Sequence, residues 1–196
     1  NLAYDSGTLN RFLDYCSRIT VPIWVYTSGE STGAKIEYIR EGLDWEQWNQ
    51  NVDTMLASGV IANTGICSTM SAPAASGFAE FLTWLLNKKR TSGISRNGTN
   101  NLMVSVNPVR FPTFQNVIIL PQEIRQRYSQ DIRDFLANPE VIKYFLPIEI
   151  DHINRWAQYL DNVVEPHRES QVEHNDNTFT DINKITNVEN LQRDFK

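Results

Sequence analysis

The sequence predicts an α/β protein in which parallel strands alternate with helices. Short apolar runs rich in β-branched or aromatic side chains recur near residues 2, 24, 65 and 104. Segments whose apolar residues have helical spacing separate these runs, and helical patterns dominate after Pro121. Strands joined by helices pair in parallel with right-handed crossovers, so a parallel sheet followed by helices is expected. Periodicity alone leaves a doubly wound sheet and part of a barrel as alternatives.

The first elements in the chain include the best-marked helix. The predicted elements up to residue 69 are strands over residues 2–4, 21–27 and 60–69, a helix over residues 8–19, and a helix that begins after Asp44. Asp44 has the character of an N-cap, with Gln47 three residues later in a variant of the capping box. Gly59 stands where a glycine commonly ends a helix. These local signals predict the bounds of that helix directly.

The remaining sequence patterns indicate a change from alternating strands and helices to helices alone near residue 120. A helix is expected from Phe78 to the cations that end at Arg90, strands over residues 102–106 and 116–120, and helices after Pro121, Pro139 and Pro147. A loop is expected over residues 91–101, and a polar tail after residue 165, with one short helix near Val188. We therefore expect a sheet-bearing domain over residues 1–120 and a helical extension over residues 121–196.

Composition and charge exclude several classes of protein. The 196 residues are 41% hydrophobic and 21% charged, which is typical of a globular domain rather than a disordered or collagen-like chain. The net charge of −5 without a basic block argues against a nucleic-acid partner. No apolar run suits a membrane span or a secretion signal. The chain has two cysteines, Cys16 and Cys67, which cannot make a disulfide framework. We therefore expect a cytoplasmic location.

Small and polar residues follow the predicted strands, and these residues are the first candidates for a site. The strand ends are Asp5-Ser6-Gly7, Thr27-Ser28-Gly29-Glu30, Ser68-Thr69-Met70-Ser71 and Asn107-Pro108. Parallel strands place their carboxyl ends at one edge of the sheet, where ligands bind in α/β proteins. We select Asn107 on this ground alone. Turn formation also explains such residues without any ligand, and for the turns taken alone it is the favoured explanation.

The segment from Thr27 to Gly42 gives a sharper candidate. Arg40 offers five N–H donors in a rigid fork, which suits a carboxylate or a phosphate. Glu37 lies three residues earlier, so on a helical turn the two side chains share a face and could simply pair with each other. Both a ligand site and a local ion pair therefore remain open here.

At this point the sequence resembles a known family. The strand ending in Ser28 and Gly29, followed by EYIREGLDWEQW over residues 37–48, resembles the fourth strand, loop and helix of radical S-adenosylmethionine enzymes of the twitch branch, relatives of the SPASM group. FAEFLTWLLNKK, NPVRFPTFQNVIILP and IEIDHINRWAQYLD follow in the order that this branch has. The resemblance extends from about residue 20 to residue 165. It favours a partial parallel (β/α) barrel with a helical C-terminal extension.

The resemblance also implies a cofactor and residues that hold it. Ser28 matches the polar position expected near the ribose of S-adenosylmethionine, and Arg40 matches the arginine expected at its methionine carboxylate. Gly29 matches a turn position, although Ser28 replaces the aspartate that usually precedes it. Glu37 matches the Glu-Tyr-Ile-Arg pattern of this branch without an assigned role. The substrate that SPASM relatives suggest is a peptide or protein.

The cluster-binding motif of this family is absent from the sequence. The family binds a [4Fe–4S] cluster through a Cys-x-x-x-Cys-x-x-Cys loop, whereas Cys16 and Cys67 lie far apart here. The first residue is Asn1 rather than Met. We therefore expect this chain to be a C-terminal fragment of a radical S-adenosylmethionine enzyme. The fragment would bind the cofactor and the substrate, but only the full-length parent would contain the [4Fe–4S] cluster. The fragment alone is therefore expected to be inactive.

Two other functions are kept as alternatives. The chain would be a non-catalytic α/β binding or assembly domain if the scaffold had lost its cluster, or a phosphate-handling enzyme if Arg40 and the strand ends bound phosphate. His167 and His174 are expected in a solvated tail, His152 at the surface, and no metal site is expected. Without a first or second strand, an open sheet edge is expected to favour homo-oligomers unless the C-terminal helices cover it.

Overall fold

A three-stranded parallel sheet with helices packed on it forms the architecture. The computed structural model describes residues 2–92 and 102–162, and these residues contain three strands and eight α-helices. The elements are α1 (Ser6–Ser17), β1 (Ile23–Ser28), α2 (Gly33–Ile39), α3 (Trp45–Ala57), β2 (Ile61–Met70), α4 (Ala72–Ala75), α5 (Phe78–Ser92), β3 (Leu102–Pro108), α6 (Gln122–Leu136), α7 (Pro139–Tyr144) and α8 (Pro147–Asn162). The α/β fold class is confirmed. By its contacts the chain divides into two units, Asn1–Val163 and Val164–Lys196, and the described residues belong to the first.

The strands are neighbours in chain order. The sheet has the order β1-β2-β3, and both pairings are parallel. Thr27 lies opposite Ile66, which lies opposite Val104. Right-handed crossovers that always advance in the same direction place their helices on one face of the sheet. A doubly wound sheet reverses direction instead, and the described strands show no such reversal.

The two faces of the sheet differ accordingly. The face toward the helices is the core, where Ile66, Met70 and Leu102 are fully buried. The opposite face, here called the uncovered face, is made of the alternate residues of the three strands. These residues are Trp24, Tyr26, Ser28, Asn63, Gly65, Cys67, Thr69, Met103, Ser105 and Asn107. Trp24 and Tyr26 are 57% and 63% exposed, so this face is aromatic and polar yet open to solvent.

The strand predicted over residues 2–4 is wrong. The backbone carbonyls of Leu2 and Tyr4 both accept a hydrogen bond from the Asn51 side-chain amide at 2.7 Å. This segment is therefore tied to α3 instead of joining the sheet. Asp5, which was a candidate strand end, accepts a hydrogen bond from the Thr8 backbone and is the N-cap of α1.

The strand predicted over residues 116–120 is also wrong, because that segment forms a short 3₁₀ helix over Val117–Ile119. The Asn116 side chain accepts a hydrogen bond from the Ile118 backbone two residues later, and this local turn overrides the β propensity of the apolar residues. The segment between β1 and α3, which corresponds to the loop of the resembled family, contains α2.

Other local predictions are confirmed. Asp44 caps α3 by accepting a hydrogen bond from the Gln47 backbone at 2.9 Å, and Gly59 has a φ of 65° just beyond the helix. Trp48 on α3 is fully buried. Residues 91 and 92, which were expected to belong to a loop over residues 91–101, are the last residues of α5, and residues 93–101 lie outside the described residues. His167, His174 and the short helix near Val188 lie outside them as well.

The two edges of the sheet have different surroundings. At the outer edge of β3, the Glu149 carboxylate accepts a hydrogen bond from the Val104 backbone at 2.8 Å, and the Lys89 ammonium donates to the Leu102 carbonyl at 2.6 Å. The outer edge of β1 receives no backbone hydrogen bond from another described segment. An apolar cleft of about 470 Å³ lies there between β1 and α1. Oligomer formation through a sheet edge stays a prediction.

Candidate functional site

A cleft at the carboxyl end of the sheet contains Arg40. This cleft, called the Arg40 cleft below, measures about 320 Å³. Its walls come from the segment after β1, the end of α2, and the ends of β2 and β3. The lining residues are Glu30, Tyr38, Ile39, Arg40, Thr69, Ser71, Pro73, Val109 and Gln115. The position agrees with where ligands bind in proteins built on parallel sheets.

The folding of α2 brings Arg40 back to the end of β1. Glu30 follows β1 by two residues, and α2 carries the chain through one short helix to Arg40, which is its C-cap. The Arg40 guanidinium then donates from both Nε and Nη2 to Glu30 Oε2, at 3.1 and 2.8 Å. Glu30 is 1% exposed and Arg40 is 28% exposed. A buried carboxylate therefore orients an arginine whose Nη1 has no protein acceptor in the described part of the chain.

Burial also affects the ionisation of Glu30. Removal from water raises the pKa of the Glu30 carboxyl above its ordinary value, and the hydrogen bond and charge of Arg40 oppose that rise. The net direction is upward because desolvation is the largest effect. The cleft thus contains a carboxyl group whose protonation is favoured by burial and opposed by Arg40.

The structure places the other candidate residues apart from this cleft. Ser28 lies on the uncovered face, in register with Cys67 and Ser105. Gly29 lies against the core, where a Cβ would stand 3.2 Å from the Trp48 ring. Neither residue lines the Arg40 cleft. Close packing of this turn against α3 therefore favours a glycine at position 29.

Glu37 has a capping contact. Its carboxylate accepts a hydrogen bond from the Trp45 backbone at 2.9 Å, at the first turn of α3. A carboxylate at this place satisfies a free N–H and interacts favourably with the helix dipole. Arg40 pairs with Glu30 and not with Glu37, so the local ion pair that the spacing allowed is not formed.

Asn107 lines a different cleft. It is exposed at the end of β3, in a cleft of about 360 Å³ between β3 and α8 that also includes Arg110, His152 and Trp156. His152 is half-buried rather than fully at the surface. The structure therefore brings Arg40 and Asn107 to the same end of the sheet but not to one cleft.

The two cysteines are also separated. Cys16 is buried in α1, whereas Cys67 is half-buried on the uncovered face of β2 rather than in the core. Within residues 2–92 and 102–162, no three His, Cys, Asp or Glu side chains converge as metal ligands. The helices of these same residues are also too short or too polar to cross a membrane.

Glu30 was predicted only as one of the polar residues at the end of β1, and it was not among the predicted cofactor-binding residues. Its partner Arg40 lies ten residues away, beyond any helical spacing. A carboxylate directly after a strand end, within reach of a later arginine, was the available signal. A prediction that residues 33–39 form a helix would have been needed to see that Arg40 returns to Glu30.

No family of known proteins matches this chain, and no significant similarity was found to a curated protein or to a solved structure.

Proposed function

We propose that this chain binds S-adenosylmethionine as the cofactor- and substrate-binding part of a radical S-adenosylmethionine enzyme. The observation that carries the proposal is the oriented arginine at the carboxyl end of the sheet. Arg40 is held by a buried carboxylate through two of its nitrogens, and Nη1 remains available to a ligand carboxylate. An arginine pre-oriented in this way loses little conformational entropy when it binds an anion.

We further propose that the sheet is part of a (β/α) barrel. Three parallel strands in sequential order, with helices on one face, are the arrangement of a barrel segment. In a closed barrel the uncovered face would point inward. Its polar residues, among them Ser28, Thr69 and Ser105, suit an interior that holds a ligand better than a packed apolar interior.

The residues fit S-adenosylmethionine better than they fit the iron–sulfur cluster. Arg40 would hold the methionine carboxylate, and the hydroxyls of Thr69 and Ser71 line the same cleft for its polar groups. Bound S-adenosylmethionine supplies an activated sulfonium to the reactions of this family. Cys16 is buried in α1 and Cys67 is half-buried on the uncovered face of β2, and two cysteines are fewer than the ligands that a cluster needs. No step through a cluster is therefore derived for this chain.

Calorimetry with S-adenosylmethionine tests the proposal. We expect weak binding by the full chain that falls about tenfold to hundredfold in Arg40→Ala, the range for a hydrogen bond to a charged group. Arg127→Ala is the matched control, since Arg127 is exposed on α6 away from the cleft. Binding that Arg40→Ala leaves unchanged would remove Arg40 from the site. The absence of any binding by the parent chain would contradict the function itself.

One observation favours an assembly domain as a second candidate. Trp24 and Tyr26 are exposed on the uncovered face, next to the outer edge of β1. Exposed aromatic residues on an open sheet mark many protein interfaces. In that case Trp24→Ser would reduce self-association, measured by light scattering, and would leave S-adenosylmethionine binding unchanged. Arg40→Ala would weaken S-adenosylmethionine binding and leave self-association unchanged.

A further inference from the structure

The cleft between β3 and α8 has two arginines and no acidic residue in its lining, and one of these arginines pairs with an aspartate outside the lining. The two arginines are Arg110 and Arg155. Arg110 is exposed and has no ion-pair partner in the part of the chain that the structure describes. Arg155 pairs with Asp151 through Nε at 3.0 Å, and this contact leaves its terminal nitrogens free. In a chain with a net charge of −5, such a local cationic site favours an anionic ligand.

Two buried ring nitrogens in the same lining have no hydrogen-bond partner. Trp156 is 2% exposed, and its Nε1 has no acceptor among the described residues. His152 Nδ1 is likewise buried and unpartnered there. Buried indole N–H groups are normally hydrogen-bonded, so an unpaired one beside a cleft points to an acceptor that enters it. A ligand with oxygen acceptors meets that requirement.

We propose that this cleft binds a phosphorylated small molecule. Arg110 follows the end of β3, and Arg155 and Trp156 belong to α8, so the two guanidinium groups and the indole come from two different segments that line one cleft. A phosphate presents more acceptor oxygens, in more directions, than a carboxylate does, so it can satisfy these donors together. Arg110 and Arg155 hold the phosphate, and Trp156 donates a third hydrogen bond.

The size and the walls of the cleft indicate that the ligand carries an organic group in addition to its phosphate. Its volume of about 360 Å³ lies within the range of small-molecule pockets and exceeds what a lone phosphate needs. The half-buried Tyr159 ring stacks on Trp156 with centroids 5.6 Å apart and supplies an apolar wall. This site uses none of the residues of the Arg40 cleft, so it stands independently of the proposed function.

Titration of the full chain with phenyl phosphate tests the proposal by calorimetry and by ³¹P NMR. We expect binding that weakens about tenfold or more in Arg110→Gln, because a charge-assisted hydrogen bond is lost. Trp156→Phe keeps an aromatic side chain and removes the N–H, and it should also weaken binding. Arg127→Gln, on the exposed surface of α6, is the matched control and should bind like the parent chain.

Inorganic phosphate and benzoate separate the contributions of the two parts of the probe. We expect both to bind more weakly than phenyl phosphate. Benzoate that binds as tightly as phenyl phosphate would overturn the assignment to a phosphate. Failure of phenyl phosphate to bind at millimolar concentration, or equal binding by Arg110→Gln, would overturn the site. Loss of binding in Arg40→Ala but not in Arg110→Gln would do the same, since it would move the phosphate to the Arg40 cleft.

Discussion

Two buried carboxylates, Glu149 and Glu30, are paired with cations in very different ways. Glu149 and Lys89 are both fully buried, and Lys89 Nζ lies 2.9 Å from each carboxylate oxygen. Glu149 also accepts hydrogen bonds from the backbones of Val104 and Leu146, each at 2.8 Å. Glu30, in contrast, has Arg40 as its partner through one oxygen. The first carboxylate is satisfied on both oxygens by the fold, and the second depends on one cleft residue.

This difference separates a structural pair from a site pair. The Lys89–Glu149 pair joins α5, β3 and α8, and it covers the outer edge of β3. Burial lowers the pKa of Lys89, and the charge of Glu149 opposes that change. The Glu30–Arg40 pair joins two neighbouring segments at a cleft open to solvent. A buried pair with complete hydrogen bonding stabilises an arrangement, whereas an incompletely bonded one leaves donors for a ligand.

Removal of Lys89 should have the largest effect. Lys89→Met leaves the Glu149 charge buried without its cation, and we expect a loss of about 3–5 kcal/mol in the free energy of unfolding. Chemical denaturation measures this loss. Lys88→Met is the matched control, because neighbouring Lys88 pairs with the exposed Asp53, and it should cost at most about 1 kcal/mol. Equal losses for the two variants would show that burial does not distinguish the pairs.

Replacement of the whole pair by apolar residues sharpens the comparison. Buried ion pairs are often replaced by apolar residues without loss of stability. Here Lys89→Met combined with Glu149→Leu should remain destabilised, because the N–H groups of Val104 and Leu146 lose their acceptor. We expect a remaining loss of about 1–3 kcal/mol for each orphaned group. If the double variant unfolded at the same temperature as the parent chain, the carboxylate would not be needed at the β3 edge.

Removal of Arg40 should have a smaller effect that depends on pH. Arg40→Ala leaves Glu30 without a partner, and we expect a loss of about 1–3 kcal/mol at neutral pH. The pKa of Glu30 should rise further, because the group that opposes the effect of burial is gone. The loss should therefore shrink in acid, where Glu30 is protonated. Urea denaturation at several pH values measures it, and a loss that is constant with pH would contradict this reasoning.

Neutralisation of Glu30 should have the smallest effect. Because the pKa of Glu30 is raised in the folded state, its contribution to stability is fully present below the ordinary value of 4.5 and is lost as the pH rises through the folded value. Glu30→Gln has no such group, so it should gain stability relative to the parent chain over that interval. The difference in the free energy of unfolding between the two proteins, measured from acid to neutral pH, isolates this effect. A difference that does not change with pH would mean that burial leaves the carboxyl unperturbed.

The sequence predicts the locally determined elements well. The N-cap Asp44, the glycine beyond α3, and the apolar runs of β1 to β3 are each specified by residues close to one another in the chain. Capping hydrogen bonds and side-chain periodicity act over three or four residues, so they can be read directly from the sequence. The failures over residues 2–4 and 116–120 have different causes. Asn51, which is distant in the chain, donates a side-chain hydrogen bond to the Leu2 carbonyl, whereas the Asn116 side chain accepts a local hydrogen bond from the Ile118 backbone.

The sequence by itself therefore determined the α/β fold class, the positions of β1 to β3 along the chain, and the presence of Arg40 after β1. Tertiary structure alone decided which carboxylate that arginine meets, which edge of the sheet is covered, and which strand residues face solvent. Glu149 reaches Lys89 across 60 positions of the chain, and Asn51 reaches Leu2 across 49. Such contacts form only when packing brings distant groups together and removes them from water. Their energies depend on burial, which no local pattern encodes.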